Sequence, residues 1–195
     1  EIGLDPALCP RPTVVIMTKA LHPPSAQLLR DGVSLTVAQT RRNLPAALSP
    51  QIKSTNFLNN ILAKREAIAA GTFDSLFLNW REELTECTIS NLFFISDGTV
   101  HTPALDCGIL DGITRSIIMT LAAEEDLPVR EGYYHLTDLR KAEECFLTNT
   151  SMEVMPVSRV ETYTIGDGRP GPLTRRLQAR FAASRFANFS VSISA

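Results

Sequence analysis

The run Leu92-Phe93-Phe94-Ile95, the pair Asp97-Gly98 and the run Val100-His101-Thr102 commit the middle of this chain to a β-hairpin. Asp-Gly accepts the positive φ values that a tight hairpin turn demands, and the β-branched and aromatic flanks suit pleated strands. Val33-Ser34-Leu35-Thr36-Val37-Ala38 alternates apolar and polar residues with period two, as a strand does. Leu76-Phe77-Leu78, Val129 to Tyr134, Cys145-Phe146-Leu147-Thr148 and Val157 to Ile165 also read as strands, with a polar turn at Arg81-Glu82-Glu83.

Helices are fewer. Phe57, Leu58, Ile61, Leu62 and Ile68 recur at helical spacing after a loop marked by Pro45 and Pro50, and Gly71 stands where that helix should stop. Gly112-Ile113-Thr114 opens a second helix with Ile117, Ile118 and Leu121 as its apolar face. Thr137-Asp138-Leu139 starts a short one, and Leu173 to Phe186 forms the last. Many strands and hairpins with a few helices predict an α+β fold built on a mixed sheet or pseudo-barrel.

The first thirty residues behave differently. Thr13-Val14-Val15-Ile16-Met17-Thr18, after Pro10 and Pro12, reads as a strand buried on both faces, yet nothing nearby supplies a partner strand. Leu21-His22-Pro23-Pro24-Ser25 breaks the pattern and Arg30-Asp31-Gly32 makes a turn, so residues 20–32 read as an interdomain linker. The chain starts at Glu1 rather than Met, which leads us to expect that the front of a longer protein is missing.

Composition narrows the function. At 195 residues, 44% hydrophobic and 21% charged, the chain buries a real core. A formal charge of −2 with no basic tract gives no surface for nucleic acid or an anionic membrane. No apolar run reaches the roughly 18 residues of a membrane span. His22, His101 and His135 are too dispersed for a histidine metal site. Cys9, Cys87, Cys107 and Cys145 form no CxxC pair and read as buried free thiols of a reducing, cytoplasmic setting. Asn188-Phe189-Ser190 matches a glycosylation sequon that a cytosolic chain would not use, and Phe181, Phe186 and Phe189 follow near-helical spacing as core or interface residues.

Only four lysines accompany fifteen arginines: Lys19, Lys53, Lys64 and Lys141. A Schiff-base enzyme needs one lysine placed at a pocket, with its amine pulled toward neutrality. Lys64 sits beside Arg65 and Glu66 on a helix, and Lys141 lies in a charged run, so both read as surface residues. Lys53 stands between the Pro50 loop and the helix near Asn56, where a plain solvated loop lysine is the alternative reading.

Its company decides between the two. Ile52-Lys53-Ser54-Thr55-Asn56-Phe57-Leu58 is followed in order by Glu86-Cys87-Thr88-Ile89-Ser90-Asn91-Leu92-Phe93 and Val100-His101-Thr102. Then come Leu110-Asp111-Gly112-Ile113-Thr114-Arg115, Thr148-Asn149-Thr150-Ser151-Met152-Glu153-Val154-Met155-Pro156-Val157 and Gly166-Asp167-Gly168-Arg169-Pro170-Gly171-Pro172. This ordered set, spanning about residues 2–186, resembles the class IV (fold type IV) pyridoxal-phosphate aminotransferases. That family includes branched-chain and D-amino acid aminotransferases and aminodeoxychorismate lyases.

The resemblance implies pyridoxal 5′-phosphate as cofactor, with Lys53 forming its aldimine and moving the proton between substrate Cα and cofactor. It implies Glu86 as the carboxylate facing the pyridine nitrogen, where a negative charge keeps the ring protonated and electron-withdrawing. Ile113 and Thr114 match the phosphate cup at a helix start. Thr150 matches a second phosphate contact, with Asn149 and Ser151 beside it near the substrate carboxylate. Arg115 points into the helix and reads as structural, and Cys87 as packing. The implied fold is the large C-terminal pseudo-barrel domain over residues 33–195, preceded by a remnant of the small N-terminal α/β domain over residues 1–19. A homodimer is implied as well.

Two positions depart from the family pattern. Branched-chain enzymes place a Tyr shortly after the lysine to bond the cofactor's phenolic oxygen, and the nearest residue here is Phe57. The small domain normally supplies a phosphate-binding arginine and most substrate-selecting side chains, so the chain by itself is expected to bind cofactor weakly and turn over poorly. The leading function is transfer of an amino group from a branched-chain or D-amino acid to a 2-oxo acid. The alternatives are aminodeoxychorismate lyase, on the route to 4-aminobenzoate, and a truncated, catalytically impaired family member.

Overall fold

The computed structural model describes residues 3–187, and side chains as far as Ser184. Its elements in chain order are α1 (Ala26–Asp31), β1 (Val33–Val37), α2 (Leu58–Ala69), β2 (Asp74–Leu78), β3 (Leu84–Cys87), β4 (Asn91–Ser96) and β5 (Thr99–Pro103). They continue with α3 (Ile113–Glu124), β6 (Val129–Gly132), α4 (Leu136–Leu139), β7 (Glu144–Asn149), β8 (Glu153–Val160), β9 (Tyr163–Thr164) and α5 (Pro172–Ala187).

The strands run β3-β2-β1-β8-β7-β4-β5-β6, and a further pairing of β3 with β4 brings the ends of the first six together. Those six strands therefore close a barrel, with β5 and β6 extending from β4 and β9 folding back on β8. The sheet is mixed: β1 runs parallel to β2 and β8, while β3–β4, β4–β7 and β7–β8 are antiparallel. The closing seam carries a single register pair, Glu86 opposite Asn91.

Alternation along the strands explains why the aromatic runs have no polar face. On β4, Leu92 and Phe94 join a core with Leu35, Leu76, Leu84, Leu147 and Met155, whereas Phe93 and Ile95 pack the other way against Ile118 of α3 and Leu177 and Phe181 of α5. Both faces are buried, so both must be apolar. Phe93 and Phe146 sit opposite each other in register and stack at 5.0 Å. Fully burying each such ring contributes about 1.5–3 kcal/mol.

The expected hairpin is present: Asp97 and Gly98 take φ of 50° and 68° between β4 and β5. Helix α2 forms where its spacing predicts and stops before Gly71 (φ 65°). Its buried residues are the small ones, however. Ala63 packs with Phe77 and Ala38 and Ala67 is fully buried beside it on the helix, which lets the helix approach the barrel closely, while Phe57, Leu58, Ile61, Leu62 and Ile68 face outward.

Several expectations are corrected. Residues 13–18 form no strand: Val14 and Ile16 are 77% and 88% exposed, because no described strand lies alongside to take their hydrogen bonds. The turn expected at Arg30-Asp31-Gly32 is the end of a helix, α1 (Ala26–Asp31), capped by the Ser25 hydroxyl and ended by Gly32 at φ 73°. The expected strand from Val157 to Ile165 is two strands, since Glu161 turns at φ 52° and β9 doubles back on β8. Cys87, Cys107 and Cys145 are buried free thiols, but Cys9 is exposed beyond a short 3-10 turn. Phe181 packs in the core as expected, whereas the Phe186 side chain, Phe189 and the sequon at 188–190 lie outside the described residues. No helix among the described residues is long and apolar enough to cross a membrane.

Candidate active site

The ends of β3, β4 and β7, the start of α3 and the loop between β1 and α2 meet around one cavity of about 440 Å³. Strand β3 delivers Glu86, which is 5% exposed. Its Oε1 accepts from Nη2 of Arg42 at 2.5 Å, and its Oε2 accepts from the Leu110 N–H at 3.0 Å and from Nδ2 of Asn91 at 3.2 Å. Burial pushes the Glu86 carboxyl up from its ordinary 4.5 to about 7, against the opposing pull of Arg42, the Leu110 N–H and, more weakly, the Lys53 charge.

Arg42 was not singled out in the sequence, yet it fixes the acid. Its Nε donates to the Gly108 carbonyl at 3.1 Å, its Nη1 donates to Oδ1 of Asn59 and of Asn60 at 3.4 Å each, and its guanidinium lies over the Phe77 ring. The loop that carries it is clamped from α2: the Glu66 carboxylate accepts from the Gln39 and Thr40 amides and from the Thr40 hydroxyl. No local pattern marks such an arginine, because its partner lies 44 residues away along the chain.

Lys53 lies in the loop before α2 and lines the same cavity as Glu86. Across from them, α3 begins at Ile113 with Gly112 as N-cap and no side chain capping it, which leaves the first N–H groups free for an anion. The Ile113 side chain is exposed, so its backbone is what it offers, while Thr114 is buried at the cavity wall. Gly112 has an ordinary φ of −77°; its requirement is space, since a Cβ there would stand only 2.1 Å from Oδ1 of Asn91. Arg115 is structural, as expected: it is buried and pairs with Glu131 at 2.5 Å and with Asp111 at 3.5 Å, tying α3 to β6.

Thr150 follows β7 at the cavity rim, and Asn149 also lines the cavity. The Asn149 side chain is engaged locally, donating to the Ile89 carbonyl and accepting from the Ser151 and Met152 amides. Ser151 stays outside the lining and donates its hydroxyl to Oδ1 of Asn149 at 3.4 Å. Two hydroxyls on the wall, Ser90 Oγ and Thr148 Oγ1, are buried with no hydrogen-bond partner. A buried unpaired hydroxyl is costly unless something entering the cavity satisfies it. No histidine, cysteine or carboxylate cluster suited to a metal occurs among the described residues.

Residues 2–160 match the family model of the class IV amino-transferases. The chain belongs to this family. Among curated class IV relatives, it is 34% identical over 181 residues to a branched-chain-amino-acid aminotransferase assigned in Methanocaldococcus jannaschii, covering 93% of the chain and 62% of that protein. It is 37% identical over 155 residues to a D-alanine aminotransferase of Listeria monocytogenes, covering 80% and 52%. The solved branched-chain amino acid aminotransferase of Thermobaculum terrenum, in PLP form, superposes with a TM-score of 0.78 at 32% identity, over 82% of this chain and 53% of that one. The chain thus spans about half the length of the class IV enzymes it matches, and its closed barrel corresponds to their C-terminal pseudo-barrel domain.

Proposed function

We propose that this chain is the cofactor-holding part of a pyridoxal 5′-phosphate-dependent aminotransferase acting on a branched-chain or D-amino acid and a 2-oxo acid. One observation carries the reading: Lys53, the buried Glu86 and the uncapped start of α3 line a single cavity. The residues present fit such a group, since the two orphaned wall hydroxyls call for a polar occupant and the α3 start calls for an anion.

Lys53 would hold the cofactor's carbonyl carbon through its Nζ and carry the proton to and from the substrate Cα. Glu86 would face the ring nitrogen; its high pKa comes from burial, so a cationic N–H opposite it favours the ionised carboxylate. Arg42 keeps that carboxylate in place. The Ile113 and Thr114 amides, the Thr114 hydroxyl and Thr150 would take the phosphate, with Asn149 and Ser151 beyond them toward the substrate carboxylate. The bound cofactor supplies the electron sink that makes the Cα–H bond acidic.

On this reading residues 33–195 make the cofactor domain, with 1–19 and 20–32 belonging to a small domain and its linker. The outward apolar face of α2 beside the cavity supports a homodimer, and three buried thiols suit the cytoplasm. The chain with pyridoxal 5′-phosphate and borohydride should yield a pyridoxyl label on Lys53 and none in Lys53→Ala. A label spread over Lys19, Lys64 and Lys141 would sink the proposal. Amino transfer from leucine or D-alanine to 2-oxoglutarate, set against pyruvate release from aminodeoxychorismate, separates transaminase from lyase.

A further inference from the structure

Between β5 and α3 the chain crosses the mouth of the barrel as a strap, and four consecutive carbonyls of that strap each accept from a different side chain. Cys107 accepts from Asn79 Nδ2 at 3.2 Å, Gly108 from Arg42 Nε at 3.1 Å, Ile109 from Gln51 Nε2 at 2.6 Å and Leu110 from Asn91 Nδ2 at 2.8 Å. The kink that presents them needs Gly108, which sits at φ 96°. Two residues beyond Leu110, the strap becomes the N-cap of α3.

Gln51 differs from the other three donors. Asn79, Arg42 and Asn91 lie on or next to barrel strands, whereas Gln51 belongs to the loop that carries Lys53 two residues later. Among the described residues, every other hydrogen bond of 44–57 is made inside that segment or to the first turn of α2. Among the described residues the Gln51 amide is therefore the one side-chain hydrogen bond that ties the segment to the barrel. The peptide it grips is shared with the acid: the carbonyl of Ile109 takes the Gln51 bond, and the N–H of the same peptide unit, on Leu110, donates to Oε2 of Glu86. A hydrogen bond on a peptide carbonyl polarises its N–H, so the two bonds reinforce one another.

We infer that Gln51 is a positioning residue that sets Lys53 at a fixed reach from the Glu86 carboxylate, through the single peptide Ile109–Leu110. The inference rests on the proposed roles of Lys53 and Glu86, but the tether itself is a property of the chain alone. Its substrate-facing consequence is selective. The strap remains held by Asn79, Arg42 and Asn91 when Gln51 is removed, so the acid and the α3 start keep their places while the lysine loop comes free.

The test uses Gln51→Met, which keeps the length without a donor, and Gln51→Glu, which turns an acceptor toward the Ile109 carbonyl. Without cofactor, amide exchange through 44–57 should quicken about fivefold, as loss of one net hydrogen bond predicts, with Leu110 quickening less because Asn91 still holds its strap, and with β7 and β8 unchanged. With cofactor, borohydride-trapped capture of pyridoxal 5′-phosphate at Lys53 should slow about fivefold or more in both variants. Affinity for pyridoxine 5′-phosphate, which has no carbonyl for the lysine to reach, should stay within twofold. Unchanged exchange overturns the inference, and so does a fall in pyridoxine 5′-phosphate affinity that matches the fall in capture, since that marks a general structural role. Quickened exchange in the variants of a chain whose parent never captures the aldehyde at Lys53 upholds the tether and rejects the cofactor reading instead.

Discussion

Nη2 of Arg42 meets Oε1 of Glu86 at 2.5 Å with side chains only 8% and 7% exposed, and the acid's other oxygen is held by a backbone N–H and an asparagine amide. An acid with three donors that still titrates near 7 is being held charged at a cost. Burial opposes ionisation, and the donors offset only part of it. That balance suits a group whose stabilising partner arrives with a ligand.

Stability should therefore depend on pH through Glu86. Its folded pKa of about 7 lies above the ordinary 4.5, so the folded chain holds this proton more tightly than the unfolded chain. The contribution is complete below 4.5 and is lost as pH rises to about 7. In urea unfolding of the cofactor-free chain, Glu86→Gln should match the parent near pH 4 and gain on it by roughly 3 kcal/mol by pH 8. A constant gap across that range would contradict the assignment.

Thr148→Val should show the same tension between stability and function. Its hydroxyl is buried on the cavity wall without a partner, so exchanging it for a methyl removes a desolvation cost. The variant should be about 1 kcal/mol more stable by thermal or urea unfolding and bind pyridoxal 5′-phosphate less tightly than the parent. Loss of stability with unchanged affinity would mean the hydroxyl faces protein rather than ligand.

Gly112→Ala tests the close approach at the start of α3. The new methyl would displace Oδ1 of Asn91, and with it the Nδ2 bonds to Glu86 and to the Leu110 carbonyl. Overpacking of this kind costs about 1–3 kcal/mol. Unfolding should register that loss, and fluorescence titration should show weakened binding of pyridoxine 5′-phosphate. Alanine at 112 with parental behaviour would show that Asn91 has room to retreat.

Much of this architecture was readable from residue order alone. The Asp97-Gly98 hairpin, the stop at Gly71, the helix opening at Gly112 and the β4 and β7 runs are local signals, and local physics decides them. Residues 13–18 misled because β-type composition states only that a strand is affordable; the partner that completes it must be elsewhere, and none of the described strands is. The outward stripe on α2 was invisible for a related reason, since helical spacing reveals a face but not which way it turns, and here the small residues Ala63 and Ala67 took the buried face, Ala63 against Phe77. Lys53 and Glu86 stood out as members of a recognisable ordered series. Arg42 and Gln51 did not, because their partners Glu86 and Ile109 lie 44 and 58 residues away along the chain and only the folded barrel brings them together.

That closure has a further consequence. The pair Glu86–Asn91 is the single register pair between β3 and β4, backed along the main chain only by the Cys87 N–H bond to the Ser90 carbonyl in the turn, so the acid sits on the shortest ladder of the ring of six strands. Local fraying there on warming should move the Glu86 carboxylate while most of the ladders are still intact, and, on the proposed reading of the site, loss of ligand will be an early alarm for a melting that circular dichroism has yet to see.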